Sequence, residues 1–337
     1  MIIVLKPGIS LKDEKAVLKE IRRLGYEPHV MRGVARTVVG AIGDERTHKN
    51  LESLTSWAQV ESVLPIQKRH KLVSREAHTK NSTVDVRGQL IGGKKFQVMA
   101  GPCSVESETQ LLTTAHAVKK AGATILRGGA FKPRTSPYEF QGLGEKGLKL
   151  LAKARKETGL PIITELLSEQ QAELVAEYAD ILQIGTRNAQ NFQLLIAAAK
   201  TGKPVLLKRG LSMKIEEWLL AGEYILANDN ANLMFCERGV RTFETYTRNL
   251  LDLSAIPIIK KESHCPIVID PSQGVGRAEL VTAMCKGAVA MGADALLIEV
   301  HPNPAEAWSD GAQQVTLEGF AKLMEELKPF IAAAGRE

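Results

Sequence analysis

The segment LRGGAFKPRTSPY, residues 126–138, places Arg127, Lys132 and Arg134 within eight positions and separates them by Gly128, Gly129 and Pro133. Its first residue is the end of an apolar run, ATIL. A single cation after a buried strand is usually a solvated loop residue. Three with two adjacent glycines suggest an anion site instead. A guanidinium meets phosphate or carboxylate through paired hydrogen bonds, a lysine adds a point charge, and glycine lets backbone come close to a ligand. Other apolar runs end in the same manner: Gly185-Thr186-Arg187-Asn188, Lys208-Arg209 and Cys236-Glu237-Arg238.

A second set of residue types suits different chemistry. Gly101-Pro102-Cys103-Ser104 and Glu299-Val300-His301 each follow an apolar run, and Asp310 lies shortly beyond. Thiolate with carboxylates is a donor set for a divalent transition metal such as Mn, Fe, Co or Zn. A lone cysteine after a strand also serves as a small buried apolar residue. Thr164-Glu165 and Asp270-Pro271-Ser272-Gln273 complete the polar strand ends.

The elements needed to bring these residues together are visible in the pattern. From about residue 83, after a hairpin STVDV-RGQLIGG, eight short apolar runs alternate with long amphipathic stretches: FQVMAG, ATILRGG, PIITEL, DILQIG, PVLLKRG, NLMFCERG, PIVIDPS and ADALLIEVH. Near-continuous apolarity marks parallel strands covered on both faces. Eight βα units in residues 83–337, 255 in number, predict a (β/α)8 TIM barrel. An open doubly wound sheet is the alternative, but no P-loop motif accompanies it. A barrel would collect all strand C-termini at one mouth. Arg127, Lys132, Arg134, Arg187, Lys208 and Arg238 would repel one another there without anions, and two phosphates and a carboxylate would balance them.

Residues 1–66 read as a separate unit. A strand (MIIVLK), a helix with Ser10 as N-cap and Gly25 as stop, two strands (EPHVMRG and ARTVVGAIG), a second helix (DERTHKNLESLTSWAQ) and a strand (VESVLPIQ) give the βαββαβ order of a ferredoxin-like α+β domain. It carries no cluster of catalytic residue types. Residues 67–82 are polar and aperiodic, a linker. The chain has a formal charge of +6, 5% aromatics and four scattered cysteines without a CxxC pair. Its cations do not run together with aromatics, so small anionic ligands are expected and nucleic acid is not. No apolar stretch nears the roughly 20 residues of a membrane span, the N-terminus lacks a signal-peptide pattern, and the cysteines suit a reduced, cytoplasmic location.

The motifs GPCSVES, LRGGAFKPRTSPYEFQGLGEKGL, IGTRNAQNF, VLLKRG, CERGVRTFE, IDPS, EVHPNP and SDGAQ resemble 3-deoxy-D-arabino-heptulosonate 7-phosphate (DAHP) synthase, in the form with an N-terminal ferredoxin-like regulatory domain. The resemblance spans the whole chain. It implies condensation of phosphoenolpyruvate with erythrose 4-phosphate, the first step of the shikimate pathway. A related synthase acting on arabinose 5-phosphate shares the barrel, and KPRTS favours erythrose 4-phosphate. By this resemblance Arg127, Lys132, Arg187, Lys208 and Arg238 hold phosphoenolpyruvate, while Arg134 and Thr135, with Pro133 shaping the turn, hold the aldose phosphate. A metal or Lys132 polarises the aldehyde. Glu165 either orients the attacking water or forms a salt bridge among the arginines. The resemblance also implies a homo-tetramer or dimer, and feedback inhibition by tyrosine or phenylalanine at the N-terminal domain.

One position departs from the family. Its metal is held by Cys, His, Glu and Asp. Cys103, Glu299 and Asp310 match, but IDPSQGVG carries Gln273 where the His belongs. His301 is close in sequence and is not that ligand. Weaker binding, a preference for a harder metal, a metal-free site relying on Lys132, and loss of catalysis all remain open, the last leaving a non-catalytic anion-binding protein.

Overall fold

In a computed structural model of the protein, residues 1–33, 36–43, 50–64 and 69–337 are described. The chain divides into two compact units, Met1–Arg69 and His70–Glu337.

The first unit is a four-stranded antiparallel sheet of β1 (Ile2–Leu5), β2 (Glu27–Arg32), β3 (Thr37–Ile42) and β4 (Val60–Leu64), in the order β2-β3-β1-β4. Alternation along β1 and β3 turns Ile3, Leu5, Val39 and Ala41 inward. The helix Leu11–Arg23 covers this face with Val17 and Ile21. Ser10 caps it, its Oγ accepting the Asp13 N–H at 3.1 Å. The second predicted helix differs. Residues 44–49 lie outside the described residues, and Leu51–Ser56 is a short 3-10 helix. Two serines and a threonine among the seven residues LESLTSW weaken α propensity. Leu51 and Leu54, three apart, are the eclipsed pair that a 3-10 turn buries.

The second unit opens with a hairpin of β5 (Val84–Val86) and β6 (Gln89–Ile91). The eight apolar runs then form β7 (Gln97–Gly101), β8 (Ile125–Arg127), β9 (Ile162–Leu166), β10 (Ile181–Ile184), β11 (Val205–Lys208), β12 (Leu233–Glu237), β13 (Ile267–Ile269) and β14 (Ala295–Glu299). All pair in parallel, and β14 closes on β7. The predicted (β/α)8 barrel and the ferredoxin-like unit before it are both present. Alternate residues split the barrel's apolar content into two layers. Met99, Ile125, Ile163, Ile181, Leu206, Met234, Val268 and Leu297 point inward, where Val84, Val86 and Ile91 of the hairpin join them at the N-terminal end of the strands. The larger layer lies between strands and helices and includes Leu126, Ile162, Leu182, Leu207, Trp218 and Phe235.

Residues 70–82, expected from their polarity to belong to a linker, pack on the barrel unit. The Glu223 carboxylate accepts the backbone N–H groups of Lys71, Leu72 and Val73 at 2.6–3.1 Å, and Ser82 N–H bonds His264 C=O at 2.8 Å. All four cysteines are free and buried. Among the described residues no helix is long and apolar enough to cross a membrane.

Candidate active site

The strand C-termini enclose a cavity of about 350 Å³. Eight cations line it: Arg127, Lys132, Arg134, Arg187, Lys208, Arg238, Arg241 and Arg248. Among the described residues only three carboxylates do so, those of Glu139, Glu165 and Asp310, which leaves a formal excess of five positive charges. Every residue singled out for anion binding therefore lies on one wall or another, with Pro133 and Thr135 among them. Arg241, Arg248, Asn249 and Gln183 were not foreseen. The clue to Arg241 and Arg248 was in CERGVRTFETYTRN, where cations recur after Arg238 in one long loop.

The cations fall into two groups. Arg127 ends β8 and is buried; its Nη1 donates to Glu299 Oε1 at 2.8 Å and to Pro102 C=O at 3.0 Å, while its Nε has no partner. Burial works against its charge, but Glu299 and Cys103 outweigh this and raise its pKa. Lys208 Nζ is 2.6 Å from Asp270 Oδ2. Arg134 meets Glu139 through two bonds, at 2.9 and 3.2 Å. In contrast, among the described residues Arg187, Arg238 and Arg241 form no ion pair. Arg187 reaches only Thr135 Oγ1 at 3.3 Å and Pro133 C=O at 3.5 Å. Burial lowers the Arg238 pKa even though Asp270 opposes it. Arg238 is buried, and a buried cation without a counter-charge is costly; Arg187 and Arg241 are exposed at the mouth of the cavity. Arg209, the residue after Lys208, turns away from the cavity to Glu237 at 2.9 Å and Asp252 at 2.8 Å.

The two glycines after Arg127 serve packing within the protein. A side chain on Gly128 would press on Leu151 and Val105, and one on Gly129 would lie 2.9 Å from both Cys103 C=O and Lys132 Cδ. The expected close approach is therefore to Cys103 and Lys132, which must stand side by side, and not to a ligand. Gly185 is required for a similar reason, since a Cβ there would sit 1.9 Å from Glu165 Oε1. Glu165 thus projects into the cavity over bare backbone, held by Gln183 Nε2 at 3.2 Å.

Beneath the cations lies the second predicted set. Cys103, Glu299 and Asp310 bring one ligand atom each within 4.8 Å of the others, a group that could hold a metal ion. The SDGAQQ loop orders it: Gln313 Nε2 donates to Glu299 Oε2 at 2.6 Å, and Gln314 Oε1 accepts Cys103 N–H at 3.0 Å. Lys132 Nζ is 3.1 Å from Cys103 Sγ. Burial lowers the Lys132 pKa, but Cys103, Glu299 and Glu165 more than offset this, and it lies above the ordinary lysine value. Burial above all, with Glu299 adding to it, pushes the Cys103 thiol up to about 12. Asp310 lies at about 2, because Arg248 and Lys132 overcome its burial. His301 is not part of the cluster. It bonds Glu106 Oε2 at 3.2 Å and accepts Asn303 N–H at 3.1 Å.

Sulfur and two carboxylates suit a divalent ion, but the fourth side of the cluster does not. Gln273 turns its carboxamide nitrogen toward Glu299 and Asp310, at 3.1 and 3.3 Å, and its oxygen toward Arg238, at 3.0 Å. An amide N–H₂ is a donor and cannot ligate a cation. The residues as placed therefore do not offer a complete metal site.

Residues 74–333 match the model of the DAHP synthetase I family, and residues 1–68 match that of the DAHP synthase ferredoxin-like domain. The phospho-2-dehydro-3-deoxyheptonate aldolase of Thermotoga maritima is 49% identical over 335 residues, 99% of either chain. The 2-dehydro-3-deoxyphosphooctonate aldolase of Caulobacter vibrioides is 33% identical and covers 70% of this chain and 87% of its own. Among solved structures, the Thermotoga maritima DAHP synthase superposes with a TM-score of 0.95 at 48% identity, covering 100% of this chain and 98% of that one. A truncated form of the synthase from the same organism superposes with a TM-score of 0.75 at 48% identity and covers 80% of this chain and 98% of its own.

Proposed function

The chain belongs to the DAHP synthetase I family, enzymes of an aldol-type condensation, and on that premise we propose that it joins phosphoenolpyruvate to erythrose 4-phosphate, releasing phosphate. The observation that carries this reading is the charge of the cavity. Two phosphates at about −1.5 to −2 each and one carboxylate total roughly −4 to −5, against an excess of five positive charges on the walls.

Arg127, Lys132, Arg187, Lys208 and Arg238 hold the phosphate and carboxylate of phosphoenolpyruvate. Arg134 and Thr135, on the turn set by Pro133, hold the aldose phosphate. The Arg187–Thr135 bond of 3.3 Å links the two groups, so two mutually repelling anions lie side by side, and proximity supplies much of the rate. C3 of phosphoenolpyruvate attacks the aldehyde carbon. Lys132, held above the ordinary lysine value, polarises the aldehyde oxygen and donates a proton as it becomes a hydroxyl. Water adds at C2, with Glu165 accepting its proton. The C2 centre then collapses to the ketone, and its C–O bond to phosphate breaks. The fused N-terminal unit, which matches the DAHP synthase ferredoxin-like domain, fits the same reading. A first-step enzyme needs control, and an aromatic amino acid, tyrosine or phenylalanine, bound by N-terminal units within a dimer or tetramer supplies it.

Phosphate release from phosphoenolpyruvate decides the reading. It is expected with erythrose 4-phosphate and not with arabinose 5-phosphate. The reverse preference assigns the chain to the other aldose, and release with neither rejects condensation.

A further inference from the structure

Gln273 stands between Glu299 and Asp310 as a bridge. Its two amide hydrogens meet one oxygen of each carboxylate, at 3.1 and 3.3 Å. The orientation is set from the other end. A guanidinium has donors and no acceptor, so the end that meets Arg238, at 3.0 Å, must be the oxygen. The backbone holds the residue in place as well: its N–H donates to Asp270 Oδ1 at 2.8 Å, and its C=O accepts from Asn249 Nδ2 at 2.9 Å.

The rest of the cluster is equally engaged. Glu299 Oε1 also accepts from Arg127 and Oε2 from Gln313, at 2.8 and 2.6 Å. Asp310 Oδ1 accepts from Arg248 at 3.1 Å, and Oδ2 from the Cys103 thiol at 3.4 Å. The Lys132 ammonium lies on the Cys103 sulfur at 3.1 Å. An entering cation would have to displace this ammonium and turn the amide. The turn would set amide N–H₂ against guanidinium N–H₂, two donors facing each other.

We propose that the Gln273 carboxamide and the Lys132 ammonium together take the place of a divalent cation in the Cys103–Glu299–Asp310 cluster, so that the protein binds such ions there only weakly. The consequence for catalysis, that Lys132 alone polarises the aldehyde, rests on the proposed condensation; the binding statement does not.

Cobalt(II) is the probe, because ligation by Cys103 produces a thiolate-to-cobalt charge-transfer band that surface binding does not. The natural protein is titrated beside Gln273→His, which supplies an imidazole, and Gln273→Glu, which keeps the shape and the Arg238 contact while supplying a carboxylate. The natural protein is expected to show no band at equimolar cobalt and to retain no stoichiometric metal after desalting. At least one variant should show the band and bind about 100-fold more tightly, the scale on which single groups at metal sites act. Tight cobalt binding with the band in the natural protein overturns the proposal, as do titrations that coincide for all three proteins. Phosphate release is measured in parallel after chelation. Activity abolished by chelator and restored by metal also overturns it. A protein without activity on either aldose and without cobalt binding rejects the condensation and leaves this proposal supported.

Discussion

Arg238 is buried, bonds only Gln273 Oε1 and its neighbour's carbonyl, and has no carboxylate partner among the described residues. Truncating it removes ligand contacts without stranding a buried carboxylate. Hydrogen bonds to charged groups contribute about 1.5–3 kcal/mol each, so Arg238→Ala should raise the KM for phosphoenolpyruvate roughly 10- to 150-fold. The melting temperature should hold. Unchanged kinetics in a folded variant would remove the residue from the site. Asp310 makes a pH prediction. Its folded pKa of about 2 lies below its ordinary value of 3.8. The stability it contributes, about 2 kcal/mol by linkage, is present above pH 4 and is lost as the pH falls from 4 to 2. Denaturant unfolding of Asp310→Asn should show a shallower loss over that window than the natural protein. Parallel curves would show that Asp310 is not held low. Both residues were visible as types after strands. Their partners were not, because Arg238 meets Gln273 and Asp310 meets Arg248 across dozens of residues of chain.

At the scale of elements, β9 and β10 pair so that Glu165 stands beside Gln183, and Gly185 follows β10 with no side chain to block it. Gly185→Ala would place a methyl 1.9 Å from Glu165 Oε1 and push the carboxylate aside. If Glu165 handles the proton of the attacking water, this variant and Glu165→Gln should both lose kcat. The loss should be at least about tenfold, out of the 10²–10⁴ that a positioned proton-transfer group supplies, with KM little changed. A rise in KM at constant kcat would assign Glu165 to charge balance among the arginines. The strands themselves were legible because runs such as PVLLKRG and ADALLIEVH are apolar on both faces. The six-residue 3-10 helix at Leu51–Ser56 was not, because a stretch that short has too few turns for its periodicity to distinguish it from an α-helix.

At the scale of the whole molecule, the two units have separate cores, one around Ile3, Val17, Ile21 and Val39 and one around the barrel. The cavity and every candidate catalytic group belong to the second. A chain lacking residues 1–66 is therefore expected to keep phosphate release, while inhibition by tyrosine or phenylalanine disappears. The deletion leaves the 70–82 segment on its Glu223 anchor. Initial-rate assays of both forms across an amino-acid series test this, and inhibition that survives the deletion would place the effector site in the barrel unit.

What the sequence determined alone is the scaffold and the inventory. Apolar runs of strand length with amphipathic stretches between them admit few folds, and a parallel barrel collects whatever follows its strands. The family motifs then identified the chemistry expected of Arg127, Lys132, Arg187, Lys208 and Arg238. What only the tertiary structure decided is how those charges are apportioned. Lys208 and Arg127 are partly neutralised from behind by Asp270 and Glu299, whereas Arg187, Arg238 and Arg241 have no such counter-charge among the described residues. The meaning of Gln273 is the sharpest case. As a letter in IDPSQGVG it left open a weakened, altered or absent metal and a loss of catalysis, with the three remaining ligand types tipping the balance toward a persisting metal. Arg238, 35 residues away, holds the amide oxygen and so turns its hydrogens toward the carboxylates. Side-chain direction depends on partners brought together from distant parts of the chain, and no spacing along the chain encodes it.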